Sequence, residues 1–145
     1  MLLDLFSRRV VGWAISANND TALALARLRR AVRGRHFVPA GLLHHTDRGS
    51  PYASDDYRAA LTTYAMIASM SRKGDCWDDA PSVSYFATLR ADLVDDERYL
   101  TVSDAEISIG DSIENFYNVE RLHSTLDYVS PIEFELKARV VKIAA

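Results

Sequence analysis

The apolar positions near the start of the chain come in two short blocks. Leu2 to Phe6 forms the first, and Val10 to Ile15, rich in β-formers, forms the second, with Ser7, Arg8 and Arg9 supplying a tight connection. This pattern predicts a β-hairpin. Beyond it the period changes. Asp20 and Thr21 offer a helix N-cap, after which Ala22, Leu23, Leu25, Ala26, Leu28 and Val32 recur at helical spacing until Gly34 stops the run. After Pro39 and Gly41, the stretch from Leu42 to His45 reads as a short buried strand that ends in the polar turn Thr46-Asp47-Arg48-Gly49-Ser50.

A helix is predicted from Ser54 to about Tyr64, and a further strand from Met66 to Met70. The polar loop 71–79 precedes Ala80 and Pro81, and Pro favours the first helical turn, so a helix is expected from about Ala80 to Leu93. Ser103 followed three positions later by Glu106 reads as a capping box that opens a helix reaching about Tyr117. Ser130-Pro131-Ile132-Glu133 repeats that signature before a last helix. Strand, strand, helix, strand, helix, strand and then helices make a mixed α/β layout, a sheet flanked by helices.

Composition narrows the function classes. The chain has 145 residues, six Gly and four Pro, the make-up of one globular domain. Residues 1–130 are expected to form the core and 131–145 a C-terminal helix or tail. A net charge of −3 supplies no overall attraction to polyanions, so any nucleic-acid contact has to come from a local cluster of Lys and Arg. The single cysteine, Cys76, cannot close an internal disulfide, and no Cys or His spacing suggests a structural zinc. Asp4, Arg8 and Arg9 break the N-terminal apolar run well short of the roughly 20 residues that cross a bilayer. A reducing cytosol is the expected setting, with no membrane association.

Four segments carry a resemblance. They are the run from Leu3 to Trp13, the run from His44 to Tyr52, the run from Ser69 to Asp78, and a tail motif made by Tyr117, Asn118, Arg121, His123, Ser124, Tyr128, Ser130 and Pro131. In this order and spacing the chain resembles the integrase core of bacterial insertion-sequence transposases, the IS-three family of the retroviral-integrase superfamily. The resemblance implies an RNase H-like fold and a polynucleotidyl transferase. Such an enzyme acts on transposon ends and target DNA through two Mg²⁺ or Mn²⁺ ions held by an Asp, Asp, Glu triad. One ion activates the attacking oxygen and the other stabilises the leaving oxygen, about 3.5–4 Å apart.

Asp47 matches the second Asp of that triad. It follows the apolar strand at its C-terminal end, and a turn-capping role is the alternative reading of an Asp in Thr-Asp-Arg-Gly. The spacing of the family pattern places the catalytic Glu at Val83, and valine has no oxygen to offer a hard cation. Asp79 stands where the family has Asn, one helical turn before Val83. It is a weak substitute ligand, and helix capping explains it without a metal. The first catalytic Asp lies in the family on a strand upstream of the hairpin, which is the central strand of the sheet, and the expectation is that this strand is missing here. Asp4 belongs to the second strand, with an expected role in anchoring the hairpin to Arg8 or Arg9. The remaining strands are then expected to pair directly, to dimerise through an open edge, or to leave the chain marginally stable.

The resemblance also implies DNA contacts at Arg90, seven positions after Val83, and at Arg72 and Lys73 in the preceding loop. For Arg90 a solvated helix charge is an equal reading. Arg27, Arg29, Arg30, Arg33 and Arg35 form a denser basic group, read as a solvated helix face. Trp77 and Tyr52 are read as pinning their loops to the core in preference to stacking on bases. His44 and His45 alternate across their strand and are read as hydrogen-bonded structural residues. The tail motif is read as a tertiary lock on the final helix. The function expected is a fragment of a transposase that has lost catalysis, a pseudoenzyme of DNA integration that binds DNA and forms homo-oligomers. The alternative is a non-enzymatic module that binds DNA or dimerises and so interferes with an intact transposase.

Overall fold

The computed structural model describes residues 1–35, 38–71 and 99–144. The expected helix at 80–93, and with it Arg72, Lys73, Cys76, Trp77, Asp79, Val83 and Arg90, lies outside the described residues. The chain divides into two compact units, one formed by Met1–Val11 with Arg98–Ala145 and the other by Gly12–Glu97.

In the first unit β1 (Leu2–Leu3) pairs with β2 (Val10–Gly12, which runs one residue beyond the unit) in the predicted hairpin. The strands are shorter than their apolar blocks because Asp4 turns the chain early. Its Oδ1 accepts from the backbone N–H of Phe6 and Ser7, and its own N–H donates to the Arg9 carbonyl. The aspartate thus shapes the turn through the backbone.

Further on, α4 (Val102–Asp111) opens on a capping box two residues ahead of the expected one. Thr101 is the N-cap, its hydroxyl accepting from the Asp104 N–H while the Asp104 carboxylate accepts from the Thr101 N–H. Both candidate pairs have the right spacing, and only the one at the true end of the helix leaves backbone groups to satisfy. The helix then widens into a π-helical segment, Ser112–Tyr117, in which the Asn118 N–H reaches back to the Ile113 carbonyl. That extra residue in the turn brings Ile113, Tyr117 and Asn118 together on the buried side. After a 3₁₀ turn at Ser124–Leu126, α5 (Pro131–Ala144) begins with Ser130 accepting from the Glu133 N–H and Pro131 in the first turn, as its signature predicts.

The second unit contains α1 (Thr21–Gly34), β3 (Leu43–Thr46), α2 (Ser50–Ala53), α3 (Asp55–Thr63) and β4 (Ile67–Met70). The start of α1 is capped by Asp20, which accepts from the Leu23 N–H, and its buried face carries Ala24, Leu28 and Ala31. Gly12 lies against that face, where a Cβ would stand inside van der Waals contact of the Arg27 carbonyl and 2.8 Å from the Ala31 Cβ. Ser54 caps α3 as expected, and Tyr57 and Leu61 bury its inner face.

β3 and β4 pair in parallel, with Leu43 opposite Ile67 and Thr46 opposite Met70. Leu42, Leu43 and Ile67 are exposed, so the strand read as buried is open on its apolar face. In place of one mixed sheet, the described residues form two separate two-stranded sheets, β1–β2 and β3–β4.

Candidate functional site

Asp47 is the first residue past β3, in the turn that enters α2. Its side chain is exposed, and its Oδ1 accepts a 2.8 Å hydrogen bond from the Gly49 N–H. Oδ2 takes no hydrogen bond among the described residues. A Cβ at position 49 would stand 2.9 Å from Asp47 Oδ1, so a larger residue there would push the carboxylate aside. The turn-capping role is thus realised, and it also fixes the direction of the carboxylate.

The turn is tied to the end of β4 through Ser71. Arg48 Nε donates to the Ser71 carbonyl at 2.9 Å, the Ser71 N–H donates to the Thr46 carbonyl at 3.0 Å, and the Ser71 hydroxyl lies 3.3 Å from His45 Nε2. His45 Nδ1 is in turn 3.0 Å from the Ser69 hydroxyl. His44 faces the other way, its Nε2 2.8 Å from the Tyr57 hydroxyl. Burial, with His45 alongside, holds the His44 pKa below the usual imidazole range, and burial together with Tyr52 pushes the Tyr57 phenol upward against the pull of Arg27. Both histidines are therefore hydrogen-bonded structural residues, as alternation across the strand suggests. Tyr52 meets Tyr57 edge-on at 5.3 Å and takes a hydrogen bond from Arg27, which packs it into the unit.

Among the described residues no group of three His, Cys, Asp or Glu side chains is placed to hold a metal ion. Among the described residues Asp47 offers one exposed carboxylate with a single uncommitted oxygen, and a hard cation of this type takes about six oxygen donors. Asp79, Val83, Arg72, Lys73 and Arg90, the other residues singled out from the sequence, fall outside the described part.

The tail motif locks the first unit. Asn118 is buried, its Oδ1 accepting from the Val10 N–H at 2.9 Å and its Nδ2 donating to the Val10 carbonyl at 3.1 Å, so the amide serves β2 as a one-residue strand partner. Its backbone carbonyl accepts from the Ile132 N–H in the first turn of α5. Tyr117 packs edge-on against His123 at 5.1 Å, with the Arg121 guanidinium 5.7 Å from the Tyr117 ring centre. Sequence reasoning passed over the partner of this lock, buried Glu135. It accepts from the Ser7 hydroxyl at 2.8 Å and pairs with Arg9 at 2.9 Å. No local signal marks it, because Arg139 four positions on makes Glu135 read as half of an exposed ion pair on the helix surface.

Two descriptions of the integrase core domain match the chain, one over residues 1–76 and the other over residues 83–138. The chain belongs to the integrase core family. Among relatives of this integrase core, the transposase for insertion sequence element IS904 of Lactococcus lactis is 40% identical over 133 residues, covering 92% of this chain and 52% of the relative. The IS600 uncharacterized 31 kDa protein of Shigella sonnei is 37% identical, covering 92% and 49%. Transposase InsF for insertion sequence IS3A of Escherichia coli is 36% identical over 137 residues, covering 94% and 47%. The integrase core described here thus spans about half the length of these relatives. Family membership implies an RNase H-like fold, and no helix among the described residues is long and apolar enough to cross a membrane.

Proposed function

We propose that this integrase core is a transposase fragment that engages DNA without completing strand transfer. One observation carries the reading: Val83 occupies the position where the family pattern has its metal-binding Glu, and an isopropyl group offers no oxygen to a divalent cation. Asp47 is the second Asp of the triad, and its orientation beyond β3 supports that role, with Oδ2 left for an Mg²⁺ or Mn²⁺ ion while Gly49 holds Oδ1. Asp79 is a weaker second donor, four positions before Val83. Bound ions would supply activation of the attacking oxygen and charge stabilisation at the leaving one. With Asp47 as the one clearly matched carboxylate among these positions, productive binding of the pair fails.

Arg72, Lys73 and Arg90 are the proposed contacts to DNA phosphates. The test is a nicking and strand-transfer assay on labelled duplexes in Mn²⁺, run beside a binding measurement. Binding is expected with no product above background, in wild type and Asp47→Ala alike. A product formed by the wild type and lost in Asp47→Ala would sink the inactive reading, and absence of DNA binding would sink the rest. A second reading, assembly with itself or with an intact transposase, is favoured by the large apolar side chains left exposed in the first unit, among them Leu100, Val102 and Ile107. Mixed oligomers with a full-length relative would support it, and a chain that stays monomeric in such mixtures would not.

A further inference from the structure

The outward face of α1 is the feature that neither the fold nor the catalytic reading uses. Ala24, Leu28 and Ala31 bury one side of this helix, and Ala22, Ala26, Arg29 and Arg33 follow one another along the opposite side, all exposed. Arg30 flanks them, its guanidinium 3.6 Å from the centre of the Trp13 ring. Arg27, by contrast, is turned inward to Tyr52, Asn19 and the Leu23 carbonyl. No hydrogen bond or ion pair engages the side chains of Arg29 and Arg33 among the described residues. Within α1 there is no Asp or Glu at all, although the chain as a whole carries 20 acidic residues against 17 basic ones.

This arrangement costs the helix something. Arg29 and Arg33 are one turn apart, where like charges repel, and their other neighbours at that spacing include no acid to offset them. The helix dipole favours Arg33 in the last turn but does not reach Arg29. Two unpartnered guanidinium groups one helical turn apart suit successive phosphates of a nucleic-acid strand, which Arg recognises through its planar fork of donors. A membrane surface fits less well, because the apolar side of this helix is buried within its unit.

We infer that the exposed face of α1, through Arg29 and Arg33, is a sequence-independent contact for the phosphate backbone of duplex DNA. This rests on the proposal that the chain engages DNA, and it adds a surface distinct from the residues assigned above. Because the contact is electrostatic, each phosphate neutralised adds about 0.9 to the slope of log K against log salt concentration.

The test is fluorescence anisotropy of the full chain with a labelled mixed-sequence duplex across a salt series. Arg29→Ala/Arg33→Ala should reduce the magnitude of that slope by about 1.8 and weaken binding on the order of ten-fold or more near 0.1 M salt. Arg29→Lys/Arg33→Lys should keep most of both. Arg58→Ala, which removes an exposed charge already facing Asp55 at 4.0 Å, should leave slope and affinity near wild type. Removing the like-charge pair does not harm the helix, so an unchanged melting temperature is expected alongside. Wild-type affinity and slope in the double alanine variant would overturn this inference while leaving DNA binding intact. No binding by any form would overturn it together with the reading it rests on. Equal binding of the wild type to anionic phosphatidylserine vesicles, lost in the same variant, would reassign the face and overturn it as well.

Discussion

Asn118 shows how one side chain does the work of a strand. Its amide offers an acceptor and a donor at the spacing of a backbone peptide, so both polar groups of Val10 are satisfied inside the unit. Asn118→Leu leaves both without partners and should lower unfolding stability by about 2 to 4 kcal/mol. Asn118→Asp keeps the acceptor and should cost less at pH values that protonate it, a difference readable in urea titrations at several pH values. His44 supplies a second prediction. Its folded pKa is depressed below the ordinary value of 6.5 by burial and by His45, so the unfolded chain takes up the proton first as pH falls. The stability this neutral histidine contributes is complete above about pH 6.5 and is lost as pH drops through the folded pKa. Denaturant midpoints measured from pH 7.5 down should therefore fall below that point, and fall less steeply in His44→Gln. His123, lowered by burial and by Arg121 and Arg8, contributes in the same direction from the other unit.

At the scale of elements, two contacts decide how helices meet strands. The close approach of α1 to Gly12 leaves no room for a Cβ, and the obstacle is the Arg27 carbonyl, which cannot swing aside as a side chain would. Gly12→Ala should destabilise the chain by roughly 3 kcal/mol, seen as a lowered thermal midpoint with the helical circular-dichroism signal retained below it. The hairpin is held to α5 by Glu135, whose two oxygens take the Ser7 hydroxyl and the Arg9 guanidinium, with Phe6 and Phe134 packed 5.1 Å apart beside them. Glu135→Leu removes the acceptor for a buried hydroxyl and leaves Arg9 without its ion pair. Hydrogen exchange should then show α5 amides opening faster than those of α1, and equal exchange in variant and wild type would contradict the account. The ends of α1, α3 and α5 were legible because Asp20, Ser54 and Ser130 cap them locally. The start of α4 was misplaced by two residues because Thr101/Asp104 and Ser103/Glu106 carry the same signature, and sequence has no means to rank two equal boxes.

For the whole molecule, the family pattern and the chemistry of single positions lead to opposite expectations about activity. The matched segments cover nearly all of the chain, yet on the proposed reading Val83 stands where a metal-binding Glu is expected. Val83→Glu supplies one more oxygen donor and is expected to raise Mn²⁺ affinity without reaching the turnover of an intact transposase. Isothermal titration with Mn²⁺ checks the first half and a strand-transfer assay the second. The charge balance is equally divided between scales, since a chain of net charge −3 concentrates four arginines on a single helix that has no acid of its own.

By itself, the amino-acid order determined which segments become strands and helices, the family to which they belong, and the identities Asp47 and Val83 on which the catalytic reading depends. Those are properties of local spacing and of side-chain chemistry, which do not need a partner to be read. Tertiary structure alone decided that the strands form two separate pairs, that Leu43 and Ile67 stay exposed, that Asn118 and Glu135 are buried locks, and that Arg27 turns inward while Arg29 and Arg33 face solvent. Each of these depends on which distant group satisfies a hydrogen bond or covers an apolar surface, a choice set by folding in three dimensions and invisible to any local pattern.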